Sequence, residues 1–170
     1  MSKKLTHLDD SGRAKMVHVG HKPDTERIAV ARGTVQMQPQ TLDLIAAGNM
    51  KKGDVLTVAQ LAGVMAAKRT SDLIPLCHPL LLSHVDVTCR LNQDQSCVDI
   101  EAVVRLTGKT GVEMEALTAV TIAGLTIYDM AKAIDRTMRL TDVHVVRKSG
   151  GQSGDWRLEG KTLMAAGDES

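Results

Sequence analysis

GVEMEALTAVTIAGLTIYDMAK, residues 111–132, is an apolar run with charge only at its two ends. Glu113 and Glu115 stand in the first turn of the helix this pattern predicts, where the dipole favours negative charge, and Gly111 is its entry. From Ala116 to Tyr128 no residue is charged, and Leu, Val, Ile and Thr positions go round the whole wheel rather than along one stripe. Such a helix must be buried on more than one side. Asp129 and Lys132 follow at a spacing of three, which sets a carboxylate and an ammonium side by side on one face. The two ends lie far apart: Glu115 and Asp129 are separated by about 21 Å along a continuous helix at ~1.5 Å per residue. Either the ends serve different purposes, or a second copy of the chain brings its own helix end into the same pocket. The all-round apolar middle favours the second arrangement.

Outward from this helix, residues 27–37 alternate through Ile28, Val30, Val35 and Met37 as a strand interrupted at Gly33. Pro39 opens a short helix over residues 40–47, which Gly48 ends. Asp54 is placed to N-cap a second helix running from Val55 to about Arg69. The two prolines of LIPLCHPL, residues 73–80, forbid helix and central strand alike. Strands follow over 83–92 and 97–106, joined by a turn at 93–96, and a last strand passes through Leu140, Val143, Val145 and Val146. The order β, helices, β, β, α, β predicts an α+β fold, a ferredoxin-like antiparallel sheet with helices packed on one face. Residues 1–23 read as a partly ordered arm, 24–156 as a single domain and 157–170 as a disordered tail.

With 170 residues, the chain can bury a proper core in one domain. A net charge of +1, from 21 basic and 20 acidic residues, argues against a general polyanion binder. With no Phe, one Tyr and one Trp there are no platforms for stacking nucleobases, so nucleic acid is not an expected partner. Cys77, Cys89 and Cys97 form no CxxC pair, and their odd number suits a reducing compartment. No signal-peptide core or membrane span is evident, so a cytoplasmic location is expected.

Several residues have the chemistry of a site, and each has a plainer reading beside it. Asp129 and Lys132 are an acid and base pair or an ordinary helical ion pair, and spacing alone favours the latter. Glu113 and Glu115 are ligand carboxylates or simply an acidic first turn. Cys77 and His78 are neighbours in a rigid loop without metal-ligand spacing; a histidine donating to a ligand's polar edge is the stronger functional reading. Lys52, Lys68, Arg69 and Lys148 would form a triphosphate clamp if they converge, and are solvated charges if they do not. The glycine-rich segment 148–154 could hold a phosphate on backbone amides, a weak signal. Gly108–Thr110 lacks the upstream glycine of a P-loop, Val103 standing in its place, and GKTG at 108–111 mimics a GXXG loop without the basic character of RNA-binding modules.

Taken together, KGDV (52–55), AGVMAAKRT (62–70), DLIPLCHPL (72–80), TGVEMEALTAV (110–120), LTIYDMAKAID (125–135) and KSGGQSG (148–154) resemble the molybdenum cofactor biosynthesis protein C family. The resemblance runs from about Leu5 to Trp156. It implies a cyclic pyranopterin monophosphate synthase, a lyase acting on 3',8-cyclo-7,8-dihydroguanosine 5'-triphosphate with release of pyrophosphate. It also implies ferredoxin-like subunits assembled as hexamers, trimers of dimers with interfacial sites. By matching motif, Asp129 and Lys132 correspond to the catalytic acid and base. Leu76, Cys77, His78, Met114 and Glu115 fall at substrate-binding positions, with Glu113 beside them. Lys52, Lys148 and, more weakly, Lys68 are similar to lysines near the substrate phosphates. No motif requires a cofactor or a metal, although magnesium could enter on the phosphates. Two departures stand out: MVHV at 16–19 puts His18 where the family usually has aspartate, and Ala131 stands where many members have cysteine. His18 sustains the alternative of a family member that binds the nucleotide as a pathway scaffold without converting it.

Overall fold

A computed structural model describes residues 11–151, 154–159 and 162–165. Residues 1–10 of the expected arm, Gln152 and Ser153 of the glycine-rich segment, and residues 160–161 and 166–170 of the expected tail lie outside the described residues. In chain order the elements are β1 (Thr25–Gln36), α1 (Pro39–Ala46), α2 (Val55–Ala67), α3 (Thr70–Leu73), β2 (His84–Asn92), β3 (Cys97–Gly108), α4 (Glu113–Ala131), β4 (Arg139–Ser149), β5 (Trp156–Glu159) and β6 (Thr162–Ala165).

All strand pairs are antiparallel, and the sheet order is β2-β3-β1-β4-β5-β6. Its first four strands have the ferredoxin-like order, with β1 paired to β3 from Thr25↔Gly108 to Gln36↔Cys97 and to β4 on its other side. Alternation explains the single covered face. Ala29, Ala31 and Val35 of β1 and Val98, Ile100, Ala102 and Val104 of β3 are buried, whereas Arg32, between them, is exposed. α2 and α4 lie on this face, and α4 touches β1, β3, β4 and α2. That explains the all-round apolar wheel: Ala116, Ala119, Val120, Ala123, Ile127 and Ala131 are all fully enclosed. Gly33 interrupts the strand pattern because α4 comes so close that a Cβ there would lie 2.6 Å from Val120 Cγ1.

Asp54 caps α2 as expected, accepting from Thr57 N at 3.0 Å. α1 has no side-chain cap of its own. A distant residue does that work: buried Asp135 accepts from Gln38 N, just ahead of Pro39, and from Thr137 N, both at 2.8 Å. Burial alone would raise its pKa, but these bonds outweigh it and hold the carboxylate below its usual range.

Two local expectations are corrected. The second helix ends at Ala67 rather than near Arg69, and a four-residue helical turn, α3, follows, its first residue Thr70 donating from its hydroxyl to Ala67 O at 3.0 Å. Beyond Trp156 the tail is not without structure: β5 and β6 form a hairpin that pairs with β4 through Arg147↔Arg157 and Lys148↔Trp156. β4 would otherwise present a row of unpaired backbone groups, and the hairpin covers part of it.

Candidate active site

The two ends of α4 build two separate charged groups within one chain. At its C-terminal end the Asp129 carboxylate sits between two ammonium groups, with Lys132 Nζ 2.7 Å from Oδ1 and Lys52 Nζ 2.7 Å from Oδ2. Lys52 also donates to the Asp129 carbonyl oxygen at 3.0 Å. It arrives there from the turn ahead of α2, where Asp54 fixes the chain direction. Asp129 is about half exposed, yet the hydrogen bonds from Lys132 and then Lys52 draw its pKa down to about 2. The same contact raises that of Lys132. The free pair is therefore an ionised carboxylate and a protonated amine at neutral pH.

At the N-terminal end, Glu113 is ion-paired with Lys148 of β4. Facing it, the loop between α3 and β2 brings Leu76, Cys77 and His78 against Glu113, Met114 and Glu115 around a cavity of about 450 Å³. Glu115 is only 4% exposed. Burial, with a smaller contribution from the Glu113 charge, raises its pKa to about 7, against the pull of its own backbone N–H. The Cys77 thiol is pushed up as well, by burial first and then by the Glu115 charge. Lys68, at the end of α2, lines a small recess that His78 and Glu115 also line.

The clamp of Lys52, Lys68, Arg69 and Lys148 is thus not formed within one chain: Lys52 goes to Asp129 and Lys148 to Glu113. One wall of the cavity comes from residues that were not expected to line it. Val17, Val19 and Lys22 line it as a strap from the N-terminal arm. His78 Nε2 lies 2.9 Å from Val17 O, and because a carbonyl can only accept, Nε2 carries the hydrogen. Lys109 ties down the other end, donating to Lys22 O at 2.7 Å. His18, between two valines that line the cavity, is itself exposed and stacks on His21 with ring centroids 5.8 Å apart. Its own chain's cavity does not receive it. Ala131 is fully buried, as a packing position should be.

Arg27 was also missed. It is buried, and Nε donates to Gly108 O at 3.1 Å. Its guanidinium lies against the glycine-rich segment: a Cβ on Gly151, which has φ +90°, would fall 1.8 Å from Nη1. Only glycine fits there. Among the described residues no group of three or more His, Cys, Asp or Glu is placed to hold a metal ion, and no helix is long and apolar enough to cross a membrane.

Residues 16–151 match the MoaC family. The chain is 67% identical over 152 residues to the cyclic pyranopterin monophosphate synthase of Roseiflexus sp. (strain RS-1), covering 89% of this chain and 96% of that protein. It is 57% identical over 155 residues to the protein of that name from Thermomicrobium roseum, covering 91% and 93%. With the Brucella ovis protein, again so named, it shares 57% identity over 164 residues, 96% and 99% of the two chains. Both charged groups described above fall within the matched span.

Proposed function

From the premise that the chain belongs to the MoaC family, we propose that it is a cyclic pyranopterin monophosphate synthase. It is a lyase converting 3',8-cyclo-7,8-dihydroguanosine 5'-triphosphate to cyclic pyranopterin monophosphate and pyrophosphate. The observation that carries the reading is the pairing of a half-apolar, carboxylate-bearing cavity at one end of α4 with an Asp129 held between two lysines at the other. The first suits a purine-derived ring, with Leu76, Cys77 and Met114 against its faces and His78, Glu113 and Glu115 at its polar edges.

The second suits phosphate chemistry. Phosphate oxygens compete with Asp129 for Lys52 and Lys132, and the ammonium groups then stabilise the charge that develops on departing pyrophosphate. Asp129, relieved of its partners, becomes a stronger base beside a lysine that can return the proton. Lys148 and Lys68 supply further positive charge near the ring pocket. A magnesium ion riding on the phosphates would add charge neutralisation and needs few protein ligands.

Both functions serve one substrate only if two chains contribute to each site. The outer faces of α2 and α4 support this, since Val58, Leu61, Met65 and Leu125 stay between 42% and 61% exposed. We assign the working form as a hexamer built as a trimer of dimers, with the cytoplasm as its compartment, where the free thiols Cys77, Cys89 and Cys97 stay reduced. A second reading, binding without conversion, draws on His18 alone. Incubating purified protein with the cyclic guanosine triphosphate substrate tests both. Appearance of pyrophosphate together with the pterin product supports the synthase; tight binding with neither product supports the scaffold and overturns the synthase.

A further inference from the structure

The face of the sheet turned away from α2 and α4 should be polar along every strand, as the solvated side of an antiparallel sheet usually is. At its centre it is not. Ile28 and Val30 of β1, Val103 of β3 and Val146 of β4 line an open trough of about 370 Å³. Val30 stands opposite Val103 on one side and Arg147 on the other, so the aliphatic floor runs across three strands. Val146 enters it because β4 is bulged there: Val30 pairs with Arg147 and Ala31 with Val145, which leaves Val146 as the extra residue. The rim is basic. Arg105, Arg147 and Arg157 are exposed around the floor, and Arg147 and Arg157 stand directly opposite each other on β4 and β5, where like charges repel. Among the described residues Glu101 is the only carboxylate of the lining, and Arg32 already holds it at 2.6 Å. Asp155, whose charge Arg147 also feels, is bonded to Gly150 N at 2.7 Å and to Ser149 Oγ at 2.8 Å. Both acids are thus committed, and among the described residues the Arg105 guanidinium has no partner.

What can cover such a face follows from the backbone. β3, β1, β4 and β5 each have a neighbouring strand on both sides, so an added strand finds no free edge here and contact must come through side chains. Helices cover sheet faces in this way, as α2 and α4 do on the other side. From β3 to β5 the trough crosses four strands, about 14 Å at ~4.8 Å per spacing, which is room for a helix about 10–12 Å across. An aliphatic floor with an arginine rim is complementary to apolar side chains in one stripe flanked by Asp and Glu. We infer that this face is a docking surface for an acidic amphipathic helix of another protein. Pairing of chains through α2 and α4, on the opposite face, leaves it open. The surface lies apart from the residues assigned to catalysis, so docking and turnover can fail separately.

The probe is a fluorescein-labelled synthetic helix of about 18 residues, with leucines along one face and glutamates on the others, titrated with the full chain and followed by anisotropy. It should bind at concentrations below about 1 mM, and more weakly as salt is raised. The same peptide with lysine for glutamate should not bind, and a scrambled peptide of the same composition, which keeps the charge and loses the stripe, should bind less. Arg105→Glu and Arg147→Glu should each weaken the acidic peptide roughly tenfold or more, with circular dichroism, oligomer mass and turnover of the cyclic guanosine triphosphate substrate unchanged. Arg105→Gln and Arg147→Gln remove the charge without reversing it, and should weaken binding in the same direction if a reversed charge disturbs the sheet. No binding of the acidic peptide, equal binding of the lysine or scrambled peptide, or arginine variants that bind like wild type overturns the docking surface. A smaller oligomer in the Arg105 or Arg147 variants overturns it too, since another copy of the chain would then be what covers this face.

Discussion

Asp129 holds two ammonium groups at once, and this arrangement sets what single substitutions should do. Asn in its place keeps the size and loses the charge that orders Lys52 and Lys132, so turnover should fall roughly 10²–10⁴-fold while circular dichroism stays unchanged. Full activity in Asp129→Asn would remove it from the chemistry. Its titration is a separate check. The pKa is lowered from 3.8 to about 2, so what the pairing adds to stability is complete above pH 3.8 and is lost as pH falls through 2. Solvent screens a half-exposed pair, so carboxyl NMR is the better readout: its midpoint should climb toward 3.8 in Lys52→Met. At this scale the sequence was legible in type but not in partner. Asp129 and Lys132 were a readable pair because three residues on a helix are neighbours. Lys52 was not, because 77 residues separate it from Asp129 and only the fold brings them together. The wall made by Val17 was illegible for a different reason: it binds His78 through a carbonyl, which every residue has.

α4 was the most legible element, since an uncharged wheel of this length has one physical explanation, burial on several sides. Ile127 sits where sheet and helix layers meet and is fully enclosed. Ile127→Ala should therefore destabilise the fold by about 2–5 kcal/mol in chemical denaturation, and a loss under ~0.5 kcal/mol would mean that the layer is not closely packed there. Asp135 makes the opposite case, a buried polar residue with no periodic signature. Removing it in Asp135→Ala leaves the Gln38 and Thr137 amides without an acceptor, at a cost of roughly 1–3 kcal/mol for each group left unsatisfied. Because its folded pKa is lowered, wild type and variant should converge in stability as pH falls below the ordinary carboxylate range and through that pKa. Differential scanning calorimetry between pH 7 and 2 would show whether they do. The hairpin of β5 and β6 was the least legible element. Each strand is four residues long, too short for alternation to be distinguished from chance, and its pairing is dictated by the open edge of β4 rather than by its own composition.

For the whole molecule, helix length decides the architecture of the site. Glu115 and Asp129 stand on one rigid rod about 21 Å apart. Pocket and lysine-held aspartate therefore face different regions of space in a single chain, while the substrate that both are proposed to serve is one nucleotide. The proposed two-fold pairing of chains through the apolar outer faces of α2 and α4 would resolve this, by setting the end of one α4 beside the start of another. The consequence can be measured by mixing two inactive proteins. Asp129→Asn lacks the phosphate end and His78→Ala lacks the ring end, so neither homo-oligomer should turn over substrate. In mixed oligomers some sites draw an intact His78 from one chain and an intact Asp129 from the other, and random assembly should restore up to about a quarter of wild-type activity. Sites contained within single chains give no such recovery, since every chain in the mixture carries one broken end. Activity returning on co-denaturation and refolding of the pair, and absent when the two are mixed as preformed oligomers, would establish that the catalytic unit is the interface and not the subunit.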